Sequence, residues 1–243
     1  MDATVLLAIA VAAVAFLYST VGHAGASGYI AVMSLFGLAA TTIRPTALVL
    51  NVLVSVLTTI QFSRAGHFSW RLFWPFALLA VPLAFAGGFV TLPTHVFKVL
   101  VGIVLLLSAA RLLAKPGADG VEREVSKPVA VSVGGVLGLL AGLTGTGGGI
   151  FLTPVLLFMR WASTKQAAAT SAAFILVNSV AGLAGNFSAT RTLPSVAIPL
   201  AGAALVGGSA GSFLGARRFD HTVIKRMLAV VLVIAGVKLI FTV

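Results

Sequence analysis

The residues best placed to do chemistry in this 243-residue chain are two clusters of glycine, hydroxyl and imidazole groups set in apolar sequence. The first reads Val21-Gly-His-Ala-Gly-Ala-Ser-Gly28 and the second Leu143-Thr-Gly-Thr-Gly-Gly-Gly149. Glycine lacks a Cβ, so a ligand can approach the amides of Gly147, Gly148 and Gly149 closely. The run Ile150 to Phe158 follows at once. A Gly-rich turn opening a helix presents unpaired N–H groups and the positive end of a dipole, which suits an anion. Thr144 and Thr146 add hydroxyl donors, and the first cluster offers Gly25, Ser27 and His23, an imidazole that can titrate near neutral pH. Glycine in apolar helices also serves plain close packing. Two such clusters at matching places in two halves of a membrane chain favour a transporter's substrate site.

Other polar groups interrupt the apolar runs: Asn51, Ser55, Thr58 and Gln61 early, and Thr170, Ser171, Asn178 and Ser179 late. Each alone suits an interhelical hydrogen bond. Asn51 aligns with either Ser171 or Asn178, depending on the offset between halves. The expected substrate-binding set is therefore His23, Gly25, Ser27, Asn51, Thr144, Thr146, Gly147, Gly148, Gly149, Ser171 and Asn178. No Asp or Glu lies between Asp2 and Asp119, or between Glu124 and Asp220. Membrane carboxylates mark cation and proton pathways, so their absence disfavours a cation pump and favours an anion. No nucleophile–base set, metal-ligand spacing, P-loop or dinucleotide fingerprint is present, and there is no cysteine. The chain reads as a non-enzyme, with no catalytic residue, metal or cofactor.

The elements that must carry these clusters are transmembrane helices. The composition is 59% hydrophobic and 9% charged, with a mean hydropathy of +1.13, and apolar runs near the ~20-residue spanning length recur throughout. The runs are continuous, unlike the alternation of a membrane β-barrel. Met1-Asp2 lacks a positive n-region, so the first run reads as a retained helix rather than a cleaved signal. The expected fold is an all-α polytopic membrane protein built from two inverted-topology repeats, each of about five segments. They are 3–20, 27–43, 45–63, 72–91 and 96–114 in the first half, and 128–143, 147–160, 166–187, 193–213 and 222–242 in the second. The repeat is clearest where Thr94 to Leu113 aligns without gaps on His221 to Ile240. The domains are then 1–114, a cytoplasmic linker 115–127, and 128–243.

The net charge of +11 reads as topology, not nucleic-acid binding. Twelve basic residues fall on the linker side (Arg64, Arg71, Arg111, Lys115, Arg123, Lys127, Arg160, Lys165, Arg217, Arg218, Lys225, Arg226). Four fall opposite, namely Arg44, Lys98, Arg191 and Lys238. Trp70, Trp74 and Trp161 also lie at the linker-side interface. An odd number of segments per half inverts the halves and puts both termini outside. The Gly-broken first pair of each half can be two full passes or a re-entrant hairpin, since both return the chain to one side.

The run Gly142 to Gly149, then Pro154, then Ala169-Thr-Ser-Ala-Ala-Phe-Ile-Leu-Val-Asn-Ser-Val-Ala-Gly182 resembles the second-half signature of the TauE/SafE sulfite-exporter family. The resemblance spans essentially the whole chain, although His23-Ala-Gly-Ala-Ser stands where a cleaner glycine cluster is typical. It implies a bacterial inner-membrane transporter of sulfite, sulfonates or other small sulfur-containing or organic anions. The residues alone give "small anion". The expected function is secondary transport by alternating access, with substrate at mid-membrane between the two glycine clusters. The alternatives are an anion channel or a transporter of small carboxylates. The implied partners are the anion, protons as a coupling ion and the lipid bilayer, with a homodimer left open.

Overall fold

The computed structural model describes residues 3–90, 106, 109–110, 123–191 and 194–220, with scattered positions between 222 and 237. Among these residues the regular structure is helical: α1 (Ala3–Thr20), α2 (Ala26–Leu35), α3 (Ala40–Arg64), α4 (Trp70–Phe89), α5 (Lys127–Thr144), α6 (Gly149–Phe158), α7 (Thr164–Thr190) and α8 (Ala197–Arg217). Six of these are long and apolar enough to cross a membrane. The exceptions, α2 and α6, have ten residues each, about 15 Å at ~1.5 Å per residue, or half a ~30 Å hydrocarbon core.

Local chemistry sets these boundaries. Ser69 caps α4 by accepting from the Leu72 amide. Ser163 and Gln166 form a reciprocal capping box at the start of α7. Most of these helices end on left-handed residues. At the end of α1, Gly22 takes φ +81° while the His23 amide donates to the Tyr18 carbonyl at 2.9 Å, the six-to-one bond of a Schellman motif. Gly37 closes α2 the same way, with Leu38 donating to Met33. That stop splits the expected segment 27–43, whose last residues belong to α3. Most of the expected segments 96–114 and 222–242, which carry the clearest repeat, and residues 115–122 of the linker lie outside the described residues. Helix α5 begins at Lys127, the last residue of the expected linker.

Packing interleaves the early and late helices. Along α5, Gly134, Gly138 and Gly142 lie against the backbone of Phe76, Ala80 and Ala84 of α4, where any Cβ would strike main-chain atoms. Along α8, Gly207, Gly211 and Gly215 meet Ala12, Phe16 and Thr20 of α1 in the same manner. In both pairs the contacts ascend together, so the helices run parallel. Stripes of small residues let backbones approach this closely, the usual adhesion of helices in lipid. Between α3 and α7 the order reverses: Leu48 meets Gly182, Asn51 meets Ser179, and Phe62 joins Ala168 and Ala169. These two helices are antiparallel, and α7 is the most enclosed of the six long helices. Polarity is inside-out. Asn51, Ser55, Thr58, Thr170, Ser171 and Ser179 are fully buried, whereas Ile198 and Val206 are more than 70% exposed.

Candidate functional site

Each glycine cluster forms the break between a long helix and a short one. The first break, between α1 and α2, lies against the start of α7, where the Gly22 Cα presses on the Ala168 backbone. This close contact leaves no room for a side chain. Beyond it the chain turns at Gly25, φ +103°, and buries His23 to 1% exposure. The imidazole Nε2 lies 2.8 Å from the Thr153 hydroxyl on α6. Thr153 in turn donates to Ser171 of α7 at 2.6 Å. The His23 ring is also within hydrogen-bonding reach of the Gly149 backbone. His23 thus connects the first break to the helix that the second break opens. Ser27 faces a different partner, the Tyr18 hydroxyl at 3.0 Å.

The second break, between α5 and α6, is built from backbone. Gly145, Gly147 and Gly148 take φ of +73°, +75° and +80°, and Gly148 serves as the N-cap of α6. Asn51 of α3 reaches this segment, its Nδ2 donating to the Thr146 carbonyl and to the Ser179 hydroxyl, both at 3.3 Å. Thr144 donates to the Leu140 carbonyl at 2.7 Å and accepts from Thr146 at 2.8 Å. The glycine faces are occupied by protein. A Cβ on Gly147 would meet Ser179, Ile175 and Asn51, and one on Gly148 would meet Phe174 and Ala141. Gly149 packs on Ile175 and the Ser171 carbonyl. These glycines therefore serve close packing as well as left-handed turns.

Two groups of expected site residues come together. One is His23, Gly149 and Ser171; the other is Asn51, Thr146 and Gly147. Ser27 and Thr144 make local bonds, Gly25 packs against Tyr29 and Val14, and Asn178, although 1% exposed, has no hydrogen-bond partner for either amide atom. The partner of Asn51 on α7 is Ser179, one residue beyond Asn178. The reason is the antiparallel crossing of α3 and α7, which sets contacts by geometry and not by sequence equivalence.

Two residues outside the expected set join these groups. Thr153 is one; a hydroxyl four residues after Gly149 on an otherwise apolar helix was its only sequence signal. Arg44, read from sequence as an outward topology charge, is half-buried. Its guanidinium donates to the carbonyls of Gly87 at 3.1 Å, Gly88 at 3.4 Å and Val90 at 3.3 Å, and to that of Gly142. It ties the C-terminal ends of α4 and α5 together, where the helix dipoles are negative. The Gly145 Cα lies close to its side chain.

The remaining buried polar atoms without a hydrogen-bond partner include Ser19 Oγ, Tyr29 Oη, His23 Nδ1, Asn51 Oδ1 and Thr170 Oγ1. All sit in or beside the two breaks or on the crossing helices α3 and α7. Buried polar groups are seldom left so, and here hydroxyl and amide donors outnumber the charged ones. A separate cavity of about 430 Å³ lies at the linker end, lined by Arg71, Arg123, Lys127 and Trp161 among others. It does not include either break.

The family model for "Sulfite exporter TauE/SafE" matches residues 6–239. A relative from Sinorhizobium fredii, "Probable membrane transporter protein y4hK", is 40% identical over 240 residues, covering 97% of each chain. A probable membrane transporter protein of Methanocaldococcus jannaschii is 24% identical over 156 residues, 60% of this chain and 58% of its own. One from Bacillus subtilis is 25% identical over 158 residues, with the same coverage. No solved structure matches the chain.

Proposed function

Because this chain belongs to the sulfite exporter TauE/SafE family, and is thus a multi-pass membrane transporter and not an enzyme, we propose that it carries small oxyanions such as sulfite or sulfonates by alternating access. The observation that carries this reading is the set of buried, partner-free donors (Ser19, Tyr29, Thr170 and the Asn178 amide) flanking the two breaks. A site built from neutral hydroxyls, amides and a helix start, without a carboxylate, suits an anion over a cation. His23, Gly25, Ser27, Asn51, Thr144, Thr146, Gly147, Gly148, Gly149, Ser171 and Asn178 are the substrate-binding candidates, with Thr153 and Ser179 added. The site lies between the breaks, which reach the crossing helices at opposite ends, one at Ala168 of α7 and the other at Arg44 and Leu48 of α3.

The inverted-repeat reading, with repeats 1–114 and 128–243 around a linker, is supported by two features. The first helix of each half packs on the fourth of the other, and the two third helices are antiparallel. Direct repeats would make those third helices parallel. Helices α2 and α6 are too short for a full pass, which favours a hairpin at each break. The placement in the bacterial inner membrane with both termini outside rests on the twelve-to-four split of basic residues. Cysteines introduced at Ala3 and at Glu124 should label from opposite sides of the membrane.

Proteoliposome uptake with sulfite, sulfoacetate, thiosulfate and simple carboxylates tests the function. Saturable uptake of a sulfur oxyanion, absent for carboxylates, is the expected result. Uptake of carboxylates alone shifts the substrate class, and single-channel currents without saturation would replace the transporter by a channel.

A further inference from the structure

The tautomer of His23 is fixed by its neighbours. The Thr153 hydroxyl has one proton, and it is directed at Ser171 Oγ, 2.6 Å away. Its oxygen can therefore only accept from the imidazole, so the His23 Nε2 at 2.8 Å carries the ring's proton. In the neutral ring the other nitrogen, Nδ1, is then a bare lone pair. It is buried, has no hydrogen-bond partner, and belongs to a residue that is 1% exposed. A buried unpaired acceptor is costly, and the groups that relieve it are hydrogen-bond donors.

We propose that the substrate is bound as an oxyanion that still carries an acidic proton, and that this proton is donated to the His23 Nδ1 lone pair. The inference rests on the oxyanion reading above and narrows it. A hydrogensulfite-like or monoprotonated phosphonate-like anion presents both faces the site requires. Its unprotonated oxygens accept from neighbouring hydroxyls and amides, and its O–H meets Nδ1. A fully deprotonated anion of the same shape would set an oxygen lone pair against the nitrogen lone pair. Sites built around a buried polar group reject the analogue lacking its partner far more strongly than apolar pockets reject a change of size.

No charged side chain competes for the role among the elements around His23. Helix α1 contributes Tyr18, whose ring centroid is 6.5 Å away, and α2 contributes Tyr29. Helix α6 contains no titratable residue, and α7 contains only Lys165, at its first turn. Arg44 is engaged by the ends of α4 and α5.

Methylphosphonate and methanesulfonate provide the test, because they are nearly isosteric tetrahedral monoanions when methylphosphonate retains one hydroxyl. Calorimetric titration of the purified full-length protein should show the phosphonate binding about tenfold more tightly, the worth of one hydrogen bond to an otherwise unpaired acceptor. His23→Gln keeps a donor near the Nε2 position for Thr153 but has no atom at Nδ1, and its preference should fall to within about twofold. His23→Asn places an amide near the Nδ1 position and should retain most of the preference even if overall affinity drops. Equal binding of the two anions by the unmodified protein overturns the proposal without help from any variant. So does a tenfold preference that survives in His23→Gln. Binding of neither anion overturns the oxyanion reading itself, a result distinct from equal binding of both.

Discussion

The two helix breaks hold corresponding places in the chain but are made of different material. The first stops α1 with a Schellman motif at Gly22 and then projects a side chain, His23, across to Thr153 and Ser171. The second projects almost nothing. It runs through three left-handed glycines and receives Asn51 from α3 at the Thr146 carbonyl. One break reaches out and the other is reached. A duplicated scaffold can thus keep its backbone plan while the halves divide the work, side-chain chemistry going to one break and backbone geometry to the other.

The two breaks differ most in what surrounds their glycines. Gly22→Ala should have the largest effect, because its new Cβ would land on the Ala168 backbone at a residue already at φ +81°. Backbone cannot yield as a side chain can, so a loss above ~4 kcal/mol and little monodisperse protein on size-exclusion chromatography are expected. Gly148→Ala should be milder, at ~2–3 kcal/mol, since its Cβ would meet the Phe174 ring edge at 2.9 Å and the Ala141 methyl at 3.0 Å. Pairing it with Phe174→Leu should recover part of the melting temperature. No recovery would mean that the left-handed backbone, not the ring, sets the cost.

Polar side chains separate the two breaks as well. Asn51→Leu removes the bond from α3 to the second break at Thr146 and the bond to Ser179 of α7, and should cost ~1–2 kcal/mol, with transport falling about tenfold. In a double-mutant cycle, Asn51→Leu and Ser179→Ala should be non-additive. Additive effects would show that the two do not act as a pair. Smaller effects are expected for Ser171→Ala, which removes only the acceptor of the Thr153 hydroxyl. A loss of ~1 kcal/mol in thermal stability is expected, and Thr153→Ser, which keeps the hydroxyl, should be near neutral. If Thr153→Ser is as damaging as Ser171→Ala, packing by the threonine methyl outweighs the relay.

Much of the fold is legible in residue order. Apolar length identifies six long helices, and Gly22, Gly37 and Gly145 mark where helices stop, because a left-handed residue ends the α-helical hydrogen-bond ladder. The most displaced boundary is instructive. The stretch 27–43 is apolar on both sides of Gly37, so hydropathy alone joins it into one segment. For the site, the sequence shows which polar residues are too costly to bury idly, and His23, Asn51 and Ser171 do meet partners from distant helices. It does not show the pairings. Thr153 looks like one threonine in an apolar helix, and Arg44 looks like a surface charge.

What the sequence determined by itself is therefore the membrane class, the positions of the helix breaks and the inventory of groups that could face an anion. Each follows from local physics: transfer of side chains into hydrocarbon, the steric freedom of glycine, and the absence of carboxylates. Only the tertiary structure decided which groups meet. The antiparallel crossing of α3 and α7 puts Asn51 on Ser179, and the packing of the first break and of α6 against α7 puts His23 on Thr153. Arg44 turns inward because the two parallel helices α4 and α5 end side by side and leave four carbonyls that need a donor. These contacts depend on the relative placement of helices more than a hundred residues apart in some cases. Such placement is set by glycine stripes fitting one backbone against another, and no local stretch of sequence encodes that.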